Sequence, residues 1–271
     1  MRWRVIGKVL LPVVSIALLL LLWEVIVIVS HVQSYIVPRP LASIQAVTGN
    51  WGNLSPLVYG IVRETIYGFL GGAVLGFCFG VVMSKVGWVQ KLLYPQLILS
   101  QAVPVIAIAF PLVAILGFNS IRPIIAIVIW TVFFPVTVNV FDGLAHVDQD
   151  LLNLAKVYGA SKWRTFWLIE VPATVSPLFS GLKIGATYAI TGAFIGELVS
   201  PQGSSLAQTV NTANGHDSPA TVFGLTMLLA VIGVTFFLAV TWAEVLATPW
   251  QRRPVARRSR RHSIATPRND Q

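Results

Sequence analysis

An all-α protein that crosses a membrane six times is what this sequence predicts, and three observations carry the prediction. First, 55% of its 271 residues are hydrophobic and only 11% are charged, with a mean hydropathy of +0.76. A soluble domain carries about 25% charge, so a water-facing globule of this size would lack charged residues to cover its surface. Second, apolar runs approaching the roughly 20 residues that a helix needs to span the hydrocarbon core recur along the chain. Third, the net charge of +9 is confined to the two ends. Arg2, Arg4 and Lys8 open the chain, seven arginines from Arg252 to Arg268 close it against a single Asp270, and residues 9–251 are neutral, with nine basic and nine acidic side chains. These features exclude a soluble enzyme and a disordered chain. The lone Cys78 excludes a disulfide scaffold.

The first run, 9–29, is interrupted by Pro12 and Glu24. A basic start before an apolar run also fits a cleaved signal peptide, but the run is long and lacks a small-residue cleavage site. It reads as an uncleaved first span within residues 9–30, after a basic segment 1–8. The second span is 65–84, without a charge, and the third lies within 92–121, broken by Pro95, Pro104 and Pro111. The fourth is 123–141. A fifth, 173–199, contains Lys183 and Glu197, and the sixth, 220–246, has Glu244 near its end. The last five form a core over residues 60–246, followed by an arginine-rich tail at 250–271 that is expected to be disordered. Placing the N-terminus inside puts 15 of the 19 basic residues on the cytoplasmic side. This bias orients both termini to the cytoplasm.

Within the second span Gly68, Gly72, Gly76 and Gly80 recur every fourth residue and share one helix face, where a neighbouring backbone can approach closely. Such a face serves first of all helix packing; the sharper alternative is a surface that slides or rocks during a conformational cycle. Cys78 is expected to be buried beside it. Pro104 and Pro111 each remove a backbone hydrogen bond and permit a bend. Bent helices with Ser100 and Gln101 nearby suit a solute path, so Gln101, Pro104, Lys183 and Glu197 are the candidate path residues. Lys183 lies about ten residues inside its span, whereas Glu197 lies near the outer end, where it can face water. Ionisable residues in spans are costly and point to function by default, although structural roles fit both.

Between the fourth and fifth spans, residues 142–172 leave the membrane on the inner side. Asp148 or Asp150 can cap a helix that Gly159 ends, and Ser161 can cap a second. Leu151, Leu154 and Ala155 share a face, so this short helix pair reads as a docking surface. The series Asn153, Leu154, Ala155, Gly159, Ala160, Ile169 and Pro172 resembles the EAA loop of ABC importer permeases. Asn153 stands where that motif has Glu, and Leu154 where it has Ala. Further matches are Trp23-Glu24, Val37-Pro38-Arg39-Pro40, Thr65 before the glycine face, the stretch from Pro104 through Pro111-Leu112 to Gly117, and Gly196-Glu197-Leu198. Together they resemble the nitrate, sulfonate and taurine branch, which includes permeases for thiamine-precursor pyrimidines and riboflavin. Where many relatives carry Gly-Leu-Gly after the glutamate, this chain has Gly203-Ser204-Ser205.

The resemblance implies a type I ABC importer permease fold and a non-catalytic subunit in a prokaryotic cell membrane. It implies a second permease copy, expected to be identical, a cytoplasmic ATPase dimer holding ATP and Mg, and an external solute-binding protein. The sequence agrees with that division of labour, since it has no phosphate-binding loop, no metal-ligand spacing and no G-x-S-x-G. A secondary transporter or channel is the alternative; it predicts repeated spans and ion-coordinating broken helices, and no convincing repeat is found. An intramembrane enzyme needs facing polar groups, yet Lys183 and Glu197 lie roughly 21 Å apart along one helix. The tail lacks the interleaved aromatics of a nucleic-acid binder, and it suits anionic lipid or simple solvation. Few fixed cations in the spans lean the solute towards a neutral heterocycle, such as a vitamin or its precursor, over taurine, another sulfonate or nitrate.

Overall fold

The computed structural model describes residues 2–200, 203–215 and 218–249; the tail at 250–271 lies outside the described residues. These residues form helices and connecting loops without a strand. In chain order the helices are α1 (Arg2–Val29), α2 (Pro40–Gly49), α3 (Trp51–Lys85), α4 (Gly87–Ala102), α5 (Val105–Leu116) and α6 (Ile121–Ala145). They continue as α7 (Gln149–Val157), α8 (Lys162–Thr165), a π-helical turn (Phe166–Glu170), α9 (Val171–Val199), α10 (Leu206–Gly215) and α11 (Pro219–Ala247). Four stretches, α3, α6, α8–α9 and α11, are long and apolar enough to cross a membrane, and α4–α5 qualifies as a bent pair. That gives four or five spans against the six expected; the apolar part of α1, Val14–Val29, is a shorter helix.

The centre of the fold is α6, and glycine decides what touches it. An added Cβ on Gly68, Gly72, Gly76 or Gly80 of α3 would stand 2.3–2.8 Å from the Cβ of Val128, Val132, Val136 or Val140 in turn. Both series advance by four residues, so glycine notches on α3 receive valines from α6 along a common face. The seam with α9 is built alike: Gly181, Gly185, Gly192 and Gly196 of α9 meet Pro135, Val132, Thr131 and Ile124 of α6. Val128, Val132 and Val136 are thus approached by glycines of both helices, and with Val140 they form the core together with Ile61, Phe69, Ala186, Ala189 and Ala193.

Those contacts also give direction. Residue numbers rise together on α3 and α6 and oppositely on α6 and α9, so α3 and α6 are parallel and α9 is antiparallel to both. The contacts of Lys183 with Glu244 and of Ile190 with Gly233 run α11 antiparallel to α9. For α6 to run parallel to α3, the chain between them must return to the side where α3 began. The α4–α5 pair therefore makes one crossing, and it bends by 102° on the way.

Several sequence expectations are corrected. The third span is two helices, broken at Val103-Pro104; Pro95 and Pro111 lie inside α4 and α5 without ending them. Proline disfavours helical backbone in the residue before it, and Val103 is extended at φ −84°, ψ 122°. The second span is longer than 65–84, since α3 begins at Trp51 and is about 52 Å long. Cys78 is exposed. Two residues from Gly76 is roughly 200° around the helix, which turns the thiol away from α6. The segment 142–172 is mostly helical: α6 continues to Ala145, and the second of the two expected short helices runs on into the fifth span.

A Gly76→Leu substitution is expected to destabilise the fold by about 1–3 kcal/mol, because its Cβ meets the Phe133 carbonyl oxygen at 2.8 Å, which is backbone and cannot rotate away. Gly60→Leu on the same helix, where nothing lies within 4 Å, is expected to be far milder. Thermal unfolding of the two variants in detergent, followed by size-exclusion chromatography, checks the difference.

Candidate functional site

The platform between α6 and α9 is built from capped short helices. Asp148 Oδ1 accepts from Asp150 N–H at 2.9 Å to start α7, and Ser161 Oγ accepts from Arg164 N–H at 3.3 Å to start α8. Between them Gly159 takes φ +71°. In that conformation the Ala160 N–H donates to the Ala155 carbonyl at 2.9 Å and the Gly159 N–H to Lys156 at 3.0 Å, closing α7 with the bonds of a left-handed cap. Of the loop residues named from sequence, Ala155 is buried, Ala160 and Ile169 are half-buried, and Asn153 and Leu154 are exposed. Pro172 sits in the first turn of α9. Having no N–H for the Leu168 carbonyl, it explains why the ladder widens to a π turn immediately before it.

The outer surface of the platform is apolar. Val157 and Tyr158 are 82% and 81% exposed, and Leu154, Trp163 and Leu168 are also exposed. Trp163, Phe166 and Trp167 pack edge-to-face and stacked at centroid distances of 5.5–6.4 Å. Tryptophans held against one another in water are not explained by the fold alone.

An ion pair that the sequence reading did not identify ties this platform to the glycine face. Lys85, at the last residue of α3, pairs with the buried Glu170 of the π turn and lies 5.6 Å from the centre of the Phe166 ring. The two charges flank separate spans 85 residues apart, so sequence spacing does not pair them. The pair itself lines a cavity of about 550 Å³ between α3, α7 and α8, together with Val81, Lys156, Ala160 and Trp163 among others.

The four path candidates are not brought together. Lys183 pairs with Glu244 of α11 at 3.0 Å. Glu197 does not face water: it is 3% exposed, and its carboxylate accepts from the Ala207 N–H at 2.9 Å, anchoring the start of α10. The Glu64 carboxyl of α3, 5% exposed, lies against that of Glu197, and its Oε2 has no hydrogen-bond partner. Glu64 immediately precedes the charge-free run 65–84, and that was the signal available in the sequence. Gln101 lies at the end of α4 in a notch with Trp130, Thr131 and Tyr188, and Pro104 begins α5 beside it.

This architecture has known counterparts. The profile described as "Binding-protein-dependent transport system inner membrane component" matches residues 68–250. The chain belongs to that family. It is similar to the formylaminopyrimidine transport permease protein ThiX of Halalkalibacterium halodurans, 28% identical over 89% of this chain and 96% of that protein. It is also similar to the riboflavin transport system permease protein RibX of Chloroflexus aurantiacus, 28% identical over 92% of each. The taurine transport system permease protein TauC of Escherichia coli is 22% identical, again over 92% of each. The chain is thus a multi-pass membrane protein and a permease subunit of the ABC importer family, in which ATP hydrolysis belongs to a separate subunit.

Replacing Glu197 by Ala is expected to leave the Ala207 N–H unsatisfied, at a cost of about 1–3 kcal/mol, and to release α10. Limited proteolysis then cuts within 203–215 in the variant and spares the wild type. Glu64→Gln, which keeps an oxygen and adds a donor towards Glu197, is expected to stay resistant.

Proposed function

We propose that the chain is the translocating subunit of an ATP-driven importer and that the α7–α8 platform is where an ATPase docks. The observation that carries this reading is the mechanical continuity of the platform. Its exposed apolar face lies on two capped helices; α8 runs through the π turn into the α9 span, and Lys85–Glu170 joins the same turn to α3. A push on α8 therefore reaches both helices whose glycines meet α6. Asn153, Leu154, Ala155, Gly159, Ala160, Ile169 and Pro172 form or support this contact.

The complex in this reading has two copies of the permease, two cytoplasmic ATPase subunits carrying ATP and Mg, and an external binding protein that delivers the solute. It sits in a prokaryotic cell membrane with both termini of the permease in the cytoplasm, which puts α7 and α8 on the ATPase side and α10 on the side of the binding protein. Charge bias supports that orientation, and the parallel run of α3 and α6 puts a single crossing, α4–α5, between them. This chain binds no nucleotide itself. The solute is a small uncharged organic molecule, in keeping with the full engagement of Lys183 by Glu244.

Gly159 tests the docking role without crowding the core, since nothing lies within 4 Å of an added Cβ and only the backbone conformation is at stake. Gly159→Val, which resists φ +71°, is expected to cut binding-protein-stimulated ATP hydrolysis by an order of magnitude or more while leaving membrane insertion intact. Gly159→Asn, which tolerates left-handed backbone, is expected to retain most of it. Stimulation unchanged in Gly159→Val contradicts the reading.

A further inference from the structure

Polar side chains gather at membrane depth where the α4–α5 pair breaks. Ser100 and Gln101 of α4, Trp130 and Thr131 of α6, and Tyr188 and Thr191 of α9 line a cavity of about 230 Å³. Thr131 is nine residues from Arg122 and eleven from Asp142, the charges near the two ends of α6, which is about 14 and 16 Å along the axis. The cavity therefore lies near the middle of the span. Side chains of this kind at that depth face a bundle interior or a water-filled path, not lipid.

Trp130 is shared with a second cavity of about 210 Å³, which also takes in Ser100 and Gln101 and is walled by Phe79, Phe133 and Phe134. Trp130, Ser100 and Gln101 are thus common to an aromatic-walled cavity and to one lined by Thr131, Tyr188 and Thr191. The Thr131 hydroxyl donates to the Val128 carbonyl at 2.9 Å, so its oxygen is presented as an acceptor. Gln101 offers both an amide donor and an acceptor. No Asp, Glu, Lys, Arg or His lines either cavity. Lys183 is held by Glu244, and Glu197 is committed to α10. An anionic solute in this notch would lose its hydration without meeting a counter-charge.

Resting on the importer reading above, we infer that this notch is the site a solute occupies during translocation, and that it selects an uncharged, flat heteroaromatic ring with an amide-like edge. The ring lies against Trp130 and Tyr188, and Gln101 with the hydroxyls of Thr131 and Thr191 reads the edge. The 102° break supplies the opening, because α4 and α5 leave backbone and side chains apart where a straight helix would close the gap.

The test uses the complete transporter, permease with its co-purifying ATPase and binding protein, in liposomes, and measures solute carried per ATP hydrolysed. The probes are riboflavin and formylaminopyrimidine, with taurine as the charged comparison. Trp130→Ala is expected to lower this ratio for a flat probe by about tenfold, and Trp130→Phe to restore most of it. Gln101→Leu, at an exposed position that tolerates the change, is expected to lower it severalfold. Wild-type ratios in both Trp130→Ala and Gln101→Leu overturn the site, as does a wild-type complex that hydrolyses ATP but carries only taurine or none of the three probes. A chain with which no ATPase co-purifies overturns the importer reading itself, and the site with it.

Discussion

Close approach of α6 to two glycine-lined helices is the constraint on which the rest of the structure depends. Lipid offers apolar side chains nearly the same environment as a protein core, so helices in a membrane gain little from hydrophobic burial and must gain from contact. Here the gain comes from shape: valines of α6 enter notches that only glycine leaves open on α3, and α9 repeats the arrangement in its own seam. Overlapping residues of α6 serve both seams, Val132 facing Gly72 and Gly185 alike, so the three helices form one block.

That block explains how distant parts of the chain are coupled. The α7–α8 platform is attached to it twice, covalently through the π turn into α9 and electrostatically through Lys85–Glu170 to α3. At the other end, Glu197 of α9 lies against Glu64 of α3 and holds α10 by its N-terminal N–H. The helix start and the carboxylate are well matched, since the unpaired N–H groups there favour negative charge. The platform at one end and α10 at the other are thereby fixed to the same three-helix block. The α4–α5 pair contributes no glycine to these seams and bends by 102°.

Much of this was legible in the sequence. Gly68, Gly72, Gly76 and Gly80 announced a close-packed face because steric periodicity is written in adjacent turns of a single helix. The caps at Asp148 and Ser161 and the stop at Gly159 were legible for the same reason, being local. What escaped depends on contacts between remote segments. Lys85 and Glu170 carry no spacing that pairs them, nor do Glu64 and Glu197 or Lys183 and Glu244. The glycines of α9, at 181, 185, 192 and 196, also share one helix face, but that this face meets α6 is given only by the fold. Three prolines in one apolar stretch suggested bends, but which one breaks the helix was decided by the extended conformation of Val103.

The central claim is that the α7–α8 platform meets the ATPase. Cysteine cross-linking tests it most directly, because Cys78 is the chain's single cysteine and can be changed to Ser. Tyr158→Cys in that background places a reactive thiol on the most exposed part of the platform. The account predicts a cross-link to the ATPase subunit whose yield changes when ATP is added. A cross-link confined to the external binding protein, or none to the ATPase in an intact complex, would contradict it.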